Sequence, residues 1–185
     1  MSMIGLGFIP FFMYYLYAVV PLAPLVYLFL KWRAYRDGTA ADPWLGTAVL
    51  LYYFWTLALH LALIGLTLSV SGLVGGKMEE EARPGLALLF TGVVVLLAAF
   101  LALKRLPASS LRGQSWRVFC AINLLVCGLL AMVALGAASF LVFTGKAADA
   151  RLPLVGLVAF GLAWTWFLSL LLRKASDSQL APKLG

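Results

Sequence analysis

Charged residues are scarce in this 185-residue chain, and five long stretches contain none at all. Asp, Glu, Lys and Arg make up 11% of the residues, whereas 64% are hydrophobic. Soluble domains are usually about a quarter charged, so this sequence has too few charges to cover a water-soluble surface. The scarcity excludes an ordinary soluble domain and indicates that lipid surrounds most of the protein.

Side chains that usually carry chemistry are equally rare. The chain has one histidine, His60, one asparagine, Asn123, and two cysteines, Cys120 and Cys127. It contains no HExxH, GxSxG or P-loop motif. No Asp, Glu, Lys or Arg falls inside a predicted span, where proton pumps and coupled transporters usually need one. We therefore expect no catalytic residues, no metal and no enzymatic activity.

The five uncharged stretches predict transmembrane helices. Each contains at least 20 residues without a charge, which is about the number that a helix needs to cross the hydrocarbon core. A membrane barrel would instead have short segments of alternating hydrophobicity. The predicted fold is an all-α integral membrane protein, a single transmembrane domain over 1–185. Its helices are predicted at about 4–30, 44–74, 84–103, 117–144 and 152–172.

Prolines distinguish the first predicted helix from the other four. Pro21 and Pro24 are expected to kink it, because proline removes a backbone donor and clashes with the preceding turn. The other four helices are expected to form a four-helix bundle of two hairpins, with the kinked N-terminal helix packed against it. Asp42 and Ser115 are the expected N-caps of the second and fourth helices.

The two predicted hairpins resemble each other. A Gly-Lys turn, a mid-helix glycine (Gly92 and Gly161) and a basic pair after leucine recur at an offset of 69 residues. Leucine-rich helices also match by chance, so both coincidence and a duplication, with repeats over 44–105 and 116–174, stay open. Duplicated hairpins would share one orientation and be related by an axis along the membrane normal.

The distribution of Lys and Arg predicts the orientation. The segments after the first and third helices and the C-terminal tail carry ten of these residues, whereas the other two loops carry four. Cytoplasmic loops carry the excess in membrane proteins. The N-terminus is therefore expected outside and the C-terminus in the cytoplasm. An inner-membrane location is expected, because outer-membrane proteins are usually barrels.

One face of the second predicted helix carries a polar seam around His60. Steps of three, four and seven residues place its members on one stripe. The seam consists of Tyr53, Thr56, His60, Thr67 and Ser71, with Ile64 between them. It must face other helices or a cavity, because lipid satisfies no hydrogen bond. The seam is therefore either a buried contact or the lining of a pore, and the same two roles are open for Asn123.

His60 has several interpretations. The leading one is a neutral imidazole in a packing interface, and the others are an axial haem ligand, a quinone-binding group or a proton-relay residue. One histidine cannot form a bis-histidine haem site within one chain, so a homodimer would need His60 at its symmetry axis. We expect no cofactor, with haem or quinone at His60 as the alternative. A metal site from His60, Cys120 and Cys127 would have only three ligands.

Two further helix faces are rich in small or weakly polar residues. They contain Cys120, Asn123 and Cys127 in the fourth helix, and Gly161, Thr165 and Ser169 in the fifth. Small residues let helices approach closely, so both faces are expected to pack against helices, within the chain or between chains. The acidic run 79–81 is expected to be a solvated turn, balanced by Lys77 and Arg83.

Three functions are compatible with these patterns. The leading hypothesis is a non-enzymatic multipass protein, either a subunit of a membrane complex or a homo-oligomer, because helix-packing residues are abundant and reactive groups are few. The alternatives are a channel or transporter for a small solute along the His60 seam, and a redox subunit that binds haem or quinone. The expected partners are the lipid bilayer and other membrane subunits. Nucleic acid is not expected, because the basic residues form no face with interleaved aromatics.

Overall fold

The computed structural model describes residues 21–38, 42–107 and 110–180, and all regular structure in them is helical. The helices are α1 (Leu22–Arg36), α2 (Leu45–Val74), α3 (Arg83–Arg105), α4 (Ser110–Phe143) and α5 (Arg151–Leu180). A π-helical turn, Met78–Ala82, precedes α3, and a 3₁₀ turn, Ala147–Ala150, precedes α5. The predicted all-α fold is confirmed for these residues, in which no strand occurs.

Four helical segments of the described chain are long and apolar enough to cross a membrane. They are Leu45–Val74, Met78–Arg105, Gly113–Phe143 and Ala147–Arg173. Even in the first of these, only 44% of the most apolar window is buried inside the protein, so much of each segment presents apolar side chains outward. This surface fits a membrane protein in contact with the lipid bilayer.

The predicted first helix, 4–30, lies mostly outside the described residues. Its described part belongs to α1, which starts at Leu22 and continues to Arg36, beyond the predicted end. Pro21 precedes α1 and Pro24 lies in its first turn, where proline is tolerated because those backbone N–H groups have no partner inside the helix. The predicted kink falls on the border of the described segment.

Helices α4 and α5 also extend well beyond their predicted limits. Helix α4 begins at Ser110 rather than at 117, and α5 continues to Leu180 rather than ending at 172. The predictions used Arg and Lys as boundaries, but a charged side chain marks where a helix leaves lipid, not where it ends. Ser115 is consequently not the predicted cap, since its hydroxyl donates to the carbonyl of Leu111 inside α4.

The helices pack as two antiparallel hairpins. Helix α2 pairs with α3 and α4 pairs with α5, while α2 also contacts α4 and α5 in the centre of the bundle. Helix α1 packs against α2 and α4 at one end, where Leu30, Val49 and Phe119 are buried together. A second cluster, which includes Trp55 and Phe167, is formed by residues of α2, α3, α4 and α5. Helix α2 is therefore the central element, and its polar seam lies in the core.

Candidate functional site

The polar seam of α2 faces the interior of the bundle. Its polar members are all buried: Tyr53, Thr56, His60, Thr67 and Ser71. They are three or four residues apart except for the step across Ile64, so one face of α2 carries them. Because all five side chains are buried, this face of α2 is directed towards the other helices of the bundle.

Asn123 of α4 lies opposite Thr56. Its Nδ2 donates to Thr56 Oγ1 over 3.0 Å and to the carbonyl of Phe119 over 2.7 Å. Asn123 is completely buried, and its Oδ1 accepts no hydrogen bond from any described residue. The amide therefore joins α2 to α4 and presents one open acceptor in the core, where buried polar atoms normally have a partner.

His60 faces Cys127 one turn further along both helices. The His60 Nε2 lies 4.0 Å from the Cys127 Sγ, and the two residues are 2% and 0% exposed. The Thr56–Asn123 and His60–Cys127 contacts both join positions 67 residues apart. Helices α2 and α4 therefore run parallel with their polar faces in register, and His60 is enclosed within one chain.

This enclosure bears on the cofactor interpretations of His60. A haem shared between two chains would need both His60 side chains at the interface, whereas here α4 separates the imidazole from the surface. In the described residues, no three His, Cys, Asp or Glu side chains lie close enough together to hold a metal ion. The three-ligand site considered for His60, Cys120 and Cys127 is not assembled, and both cysteines lie in an apolar cluster.

A buried carboxylate, Glu81, lies at the Ser71 end of the seam. The Ser71 Oγ donates to Oε2 of Glu81 over 3.0 Å, and Nζ of Lys77 lies 3.4 Å from Oε1. Glu81 is only 6% exposed, because the π-helical turn Met78–Ala82 brings its side chain against the end of α2. The seam therefore runs from Tyr53 in the core to an ionisable group at one end of the bundle.

Sequence reasoning missed Glu81. The expectation of a solvated acidic turn holds for Glu79 and Glu80, which are exposed, and Glu79 pairs with Arg83 as expected. It is wrong for Glu81, which is buried because the π-helical turn Met78–Ala82 directs its side chain towards Ser71 and Lys77. The sequence feature that distinguishes Glu81 is its four-residue spacing from Lys77, since residues one helical turn apart can form an ion pair.

Helices α2 and α3 contact each other through their backbones, on the side of α2 opposite the seam. A Cβ on Gly65 would meet the backbone nitrogen of Leu89 and lie 2.7 Å from the carbonyl oxygen of Gly85. A Cβ on Gly92 would lie 2.6 Å from the backbone nitrogen of Ala62. Only glycine permits this approach, so α2 is fixed by glycine contacts on one side and by the polar seam on the other.

The small-residue stripe of α5, formed by Gly161, Thr165 and Ser169, lies towards the outside. No heavy atom from the described chain lies within 4 Å of a Cβ built on Gly161. Thr165 is exposed and Ser169 is half-buried. Both hydroxyls donate to carbonyls of α5 itself. The stripe is thus not a close helix contact within the described chain.

A groove of about 530 Å³ lies beside this stripe, between α4 and α5. Its α4 wall runs from Ala121 to Met132, and Gly161 and Trp164 form its α5 wall. The lining is almost entirely apolar.

No family model, curated protein or solved structure matches this chain. A fold does not by itself determine a function, so the function must be argued from the side chains. The seam offers hydroxyls, one amide, one imidazole and one carboxylate, and most of their bonds join one helix to another. The apolar groove and the α5 stripe, in contrast, are surface features without a partner among the described residues.

Proposed function

We propose that the chain is a non-enzymatic, multipass inner-membrane protein that works as a subunit of a membrane assembly. Copies of the chain, or other membrane proteins, dock on the α5 stripe. The observation that carries the proposal is the outward position of Gly161, Thr165 and Ser169. Small residues at four-residue spacing allow close helix approach in membranes, and this stripe is free to provide it.

The polar seam supports this function by its internal contacts. Thr56, His60 and Ser71 each contact a side chain of another element, as expected of polar side chains that hold helices together in lipid. These contacts stabilise the packing of the helices within the chain. Partners dock instead on the outer surface, where the hydroxyls of Thr165 and Ser169 already donate hydrogen bonds to carbonyls of α5.

Two single substitutions, one on the α5 stripe and one control, test whether partners dock on the stripe. Thr165→Leu places a large side chain on the stripe and should shift the protein towards smaller assemblies in lipid nanodiscs. Thr91→Leu is the matched control, because Thr91 is also exposed and also donates to a carbonyl of its own helix, but lies on α3. Subunit counting by photobleaching measures both. Equal subunit numbers in the two variants would contradict the proposal.

The proposal includes an N-terminus outside, a C-terminus in the cytoplasm and no bound haem or quinone. The excess of Lys and Arg supports the orientation, and the enclosure of His60 argues against a shared haem. Protein solubilised in mild detergent should have no Soret absorbance and no extractable quinone. A Soret band that disappears in His60→Ala would replace this proposal with electron transfer.

A path for protons or small cations along the seam is the second candidate function. Glu81 favours it, because buried carboxylates in membrane segments often mark ion paths, and this one is bonded to the last residue of the seam. Proteoliposomes would then conduct protons, and Glu81→Gln and His60→Ala would each reduce the flux. Glu80→Gln, at an exposed neighbouring carboxylate, should leave it unchanged. Equal flux in all variants and in empty liposomes would eliminate the path.

A further inference from the structure

A basic side chain, Arg117, lies near one end of the apolar groove between α4 and α5. Arg117 precedes Ala121 by four residues and Gly128 by eleven, which are about one and three helical turns. Arg117 therefore lies on the same face of α4 as the groove lining, one turn beyond its end. Its side chain is exposed, and it forms no ion pair with any residue that the structure describes.

The length of the groove corresponds to one leaflet. From Ala121 to Met132 the α4 wall is about 16 Å long, whereas the complete hydrocarbon core is about 30 Å thick. The residues of α4 that line the groove end at Met132. A spanning helix of a partner would need a contact along most of the core, but an acyl chain from one leaflet needs only about half of it.

Gln114 adds a polar group at the same end. It lies three residues before Arg117, on a neighbouring part of the same face. Its Oε1 is buried and accepts no hydrogen bond from the described residues. An anionic headgroup at this end would lie beside the exposed guanidinium of Arg117, whereas the Oε1 of Gln114 is enclosed by the protein.

We propose that the groove binds one acyl chain of an anionic phospholipid whose phosphate pairs with Arg117. Phosphatidylglycerol is an anionic phospholipid with the charge that this site requires. Charge complementarity at the Arg117 end, together with the leaflet-length groove, selects this lipid over a partner helix. The site needs only the bundle of a single chain. It shares Gly161 with the α5 stripe, whereas Thr165 and Ser169 lie outside the groove lining.

Native mass spectrometry of the full chain, with phosphatidylglycerol or phosphatidylcholine added, tests the charge recognition. A basic side chain near the membrane surface contributes enough for about a fivefold loss of phosphatidylglycerol binding in Arg117→Gln. Arg173→Gln is the matched control, because Arg173 is exposed and follows Trp164 by nine residues, about two and a half turns, which places it on the opposite face of α5. Equal losses in both variants, or no preference for phosphatidylglycerol, would overturn the proposal.

A second pair of variants tests the groove itself. Native mass spectrometry again measures the bound lipid, here on the monomeric species. Gly161→Leu fills the groove at a position with free space and should reduce bound lipid. Gly136→Leu adds the same side chain on an exposed part of α4 outside the groove lining and should not. Equal lipid binding in the two variants would contradict the site.

A photo-crosslinking phenylalanine analogue at Leu125, which lines the groove, identifies the occupant in native membranes. The expected adduct has the mass of a phospholipid. Crosslinks to another protein chain, or to residues 1–20 of the same chain, would overturn the proposal. Thermal unfolding of each variant without added lipid should match that of the parent protein, so that a loss of lipid binding is not a loss of fold.

Discussion

The amide of Asn123 donates to the hydroxyl of Thr56 across the interface between α2 and α4, with 3.0 Å between the heavy atoms. Thr56 is 2% exposed and Asn123 is fully buried, so neither can exchange this bond for one to water. The pair sits beside the His60–Cys127 contact. Its strength therefore measures how far the polar seam holds the bundle together.

A double-mutant cycle on this pair should give a coupling free energy of about 0.6 kcal/mol and at most ~1.7 kcal/mol, the range for interhelical hydrogen bonds in membranes. The cycle combines Thr56→Val with Asn123→Leu, and reversible unfolding in mixed micelles measures it. Thr91→Val is the control, because Thr91 is exposed on α3, and its effect on the free energy of unfolding should be within about 0.5 kcal/mol. Strict additivity of the two substitutions would contradict a stabilising bond.

The backbone contact between α2 and α3 predicts that the stability of the protein is sensitive to an added methyl group at Gly65. Gly65→Ala should destabilise the protein by about 1–3 kcal/mol, as overpacked cores do, because the new Cβ would meet the backbone of α3. Gly136→Ala is the matched control at an exposed position without close neighbours in the described chain. It should be neutral or stabilise by up to about 1 kcal/mol, since alanine favours helix over glycine. Equal unfolding free energies for both variants would show that the backbones are not in contact.

The spacing of residues in the sequence predicts which side chains share a face of one helix. It does not predict which residues of a neighbouring helix those side chains contact. The His60 seam follows from the spacing of polar residues in α2, and its inward orientation follows from the cost of polar groups in lipid. The pairing of Thr56 with Asn123 depends on how far α4 slides along α2. That register is set by side chains on several helices, and no local pattern carries it.

Glu81 illustrates a second limit. Hydropathy locates the third span because apolar residues dominate it, but the sequence alone predicts its start at 84, after the last charge. The π-helical turn at Met78–Ala82 extends the helical run and rotates Glu81 inward while Glu79 and Glu80 point outward. One wider turn thus decides which of three consecutive glutamates is buried, and composition alone treats them alike.

Removal of Glu81 should destabilise the end of the bundle. Glu81→Ala leaves the buried hydroxyl of Ser71 without its acceptor, which costs about 1–3 kcal/mol. Glu81→Gln retains an acceptor for Ser71 and loses only the contact with the half-exposed Lys77, so it should cost less. Glu80→Ala, at an exposed carboxylate, serves as the control and should have little effect. If Glu81→Ala unfolds at the same denaturant concentration as Glu80→Ala, the buried bond contributes nothing.

Thiol labelling separates a packed seam from a water-filled path. Cys127 lies beside His60 at 4.0 Å, and both Cys120 and Cys127 are essentially inaccessible. Because a thiol must meet a water-soluble methanethiosulfonate reagent to react, neither cysteine should be modified in the folded protein, and both should react after unfolding. A cysteine introduced by Glu80→Cys, at an exposed position, provides the positive control. Rapid modification of Cys127 in a Cys120→Ser background, abolished by Cys127→Ser, would place water next to His60. It would favour the solute path over the packing role.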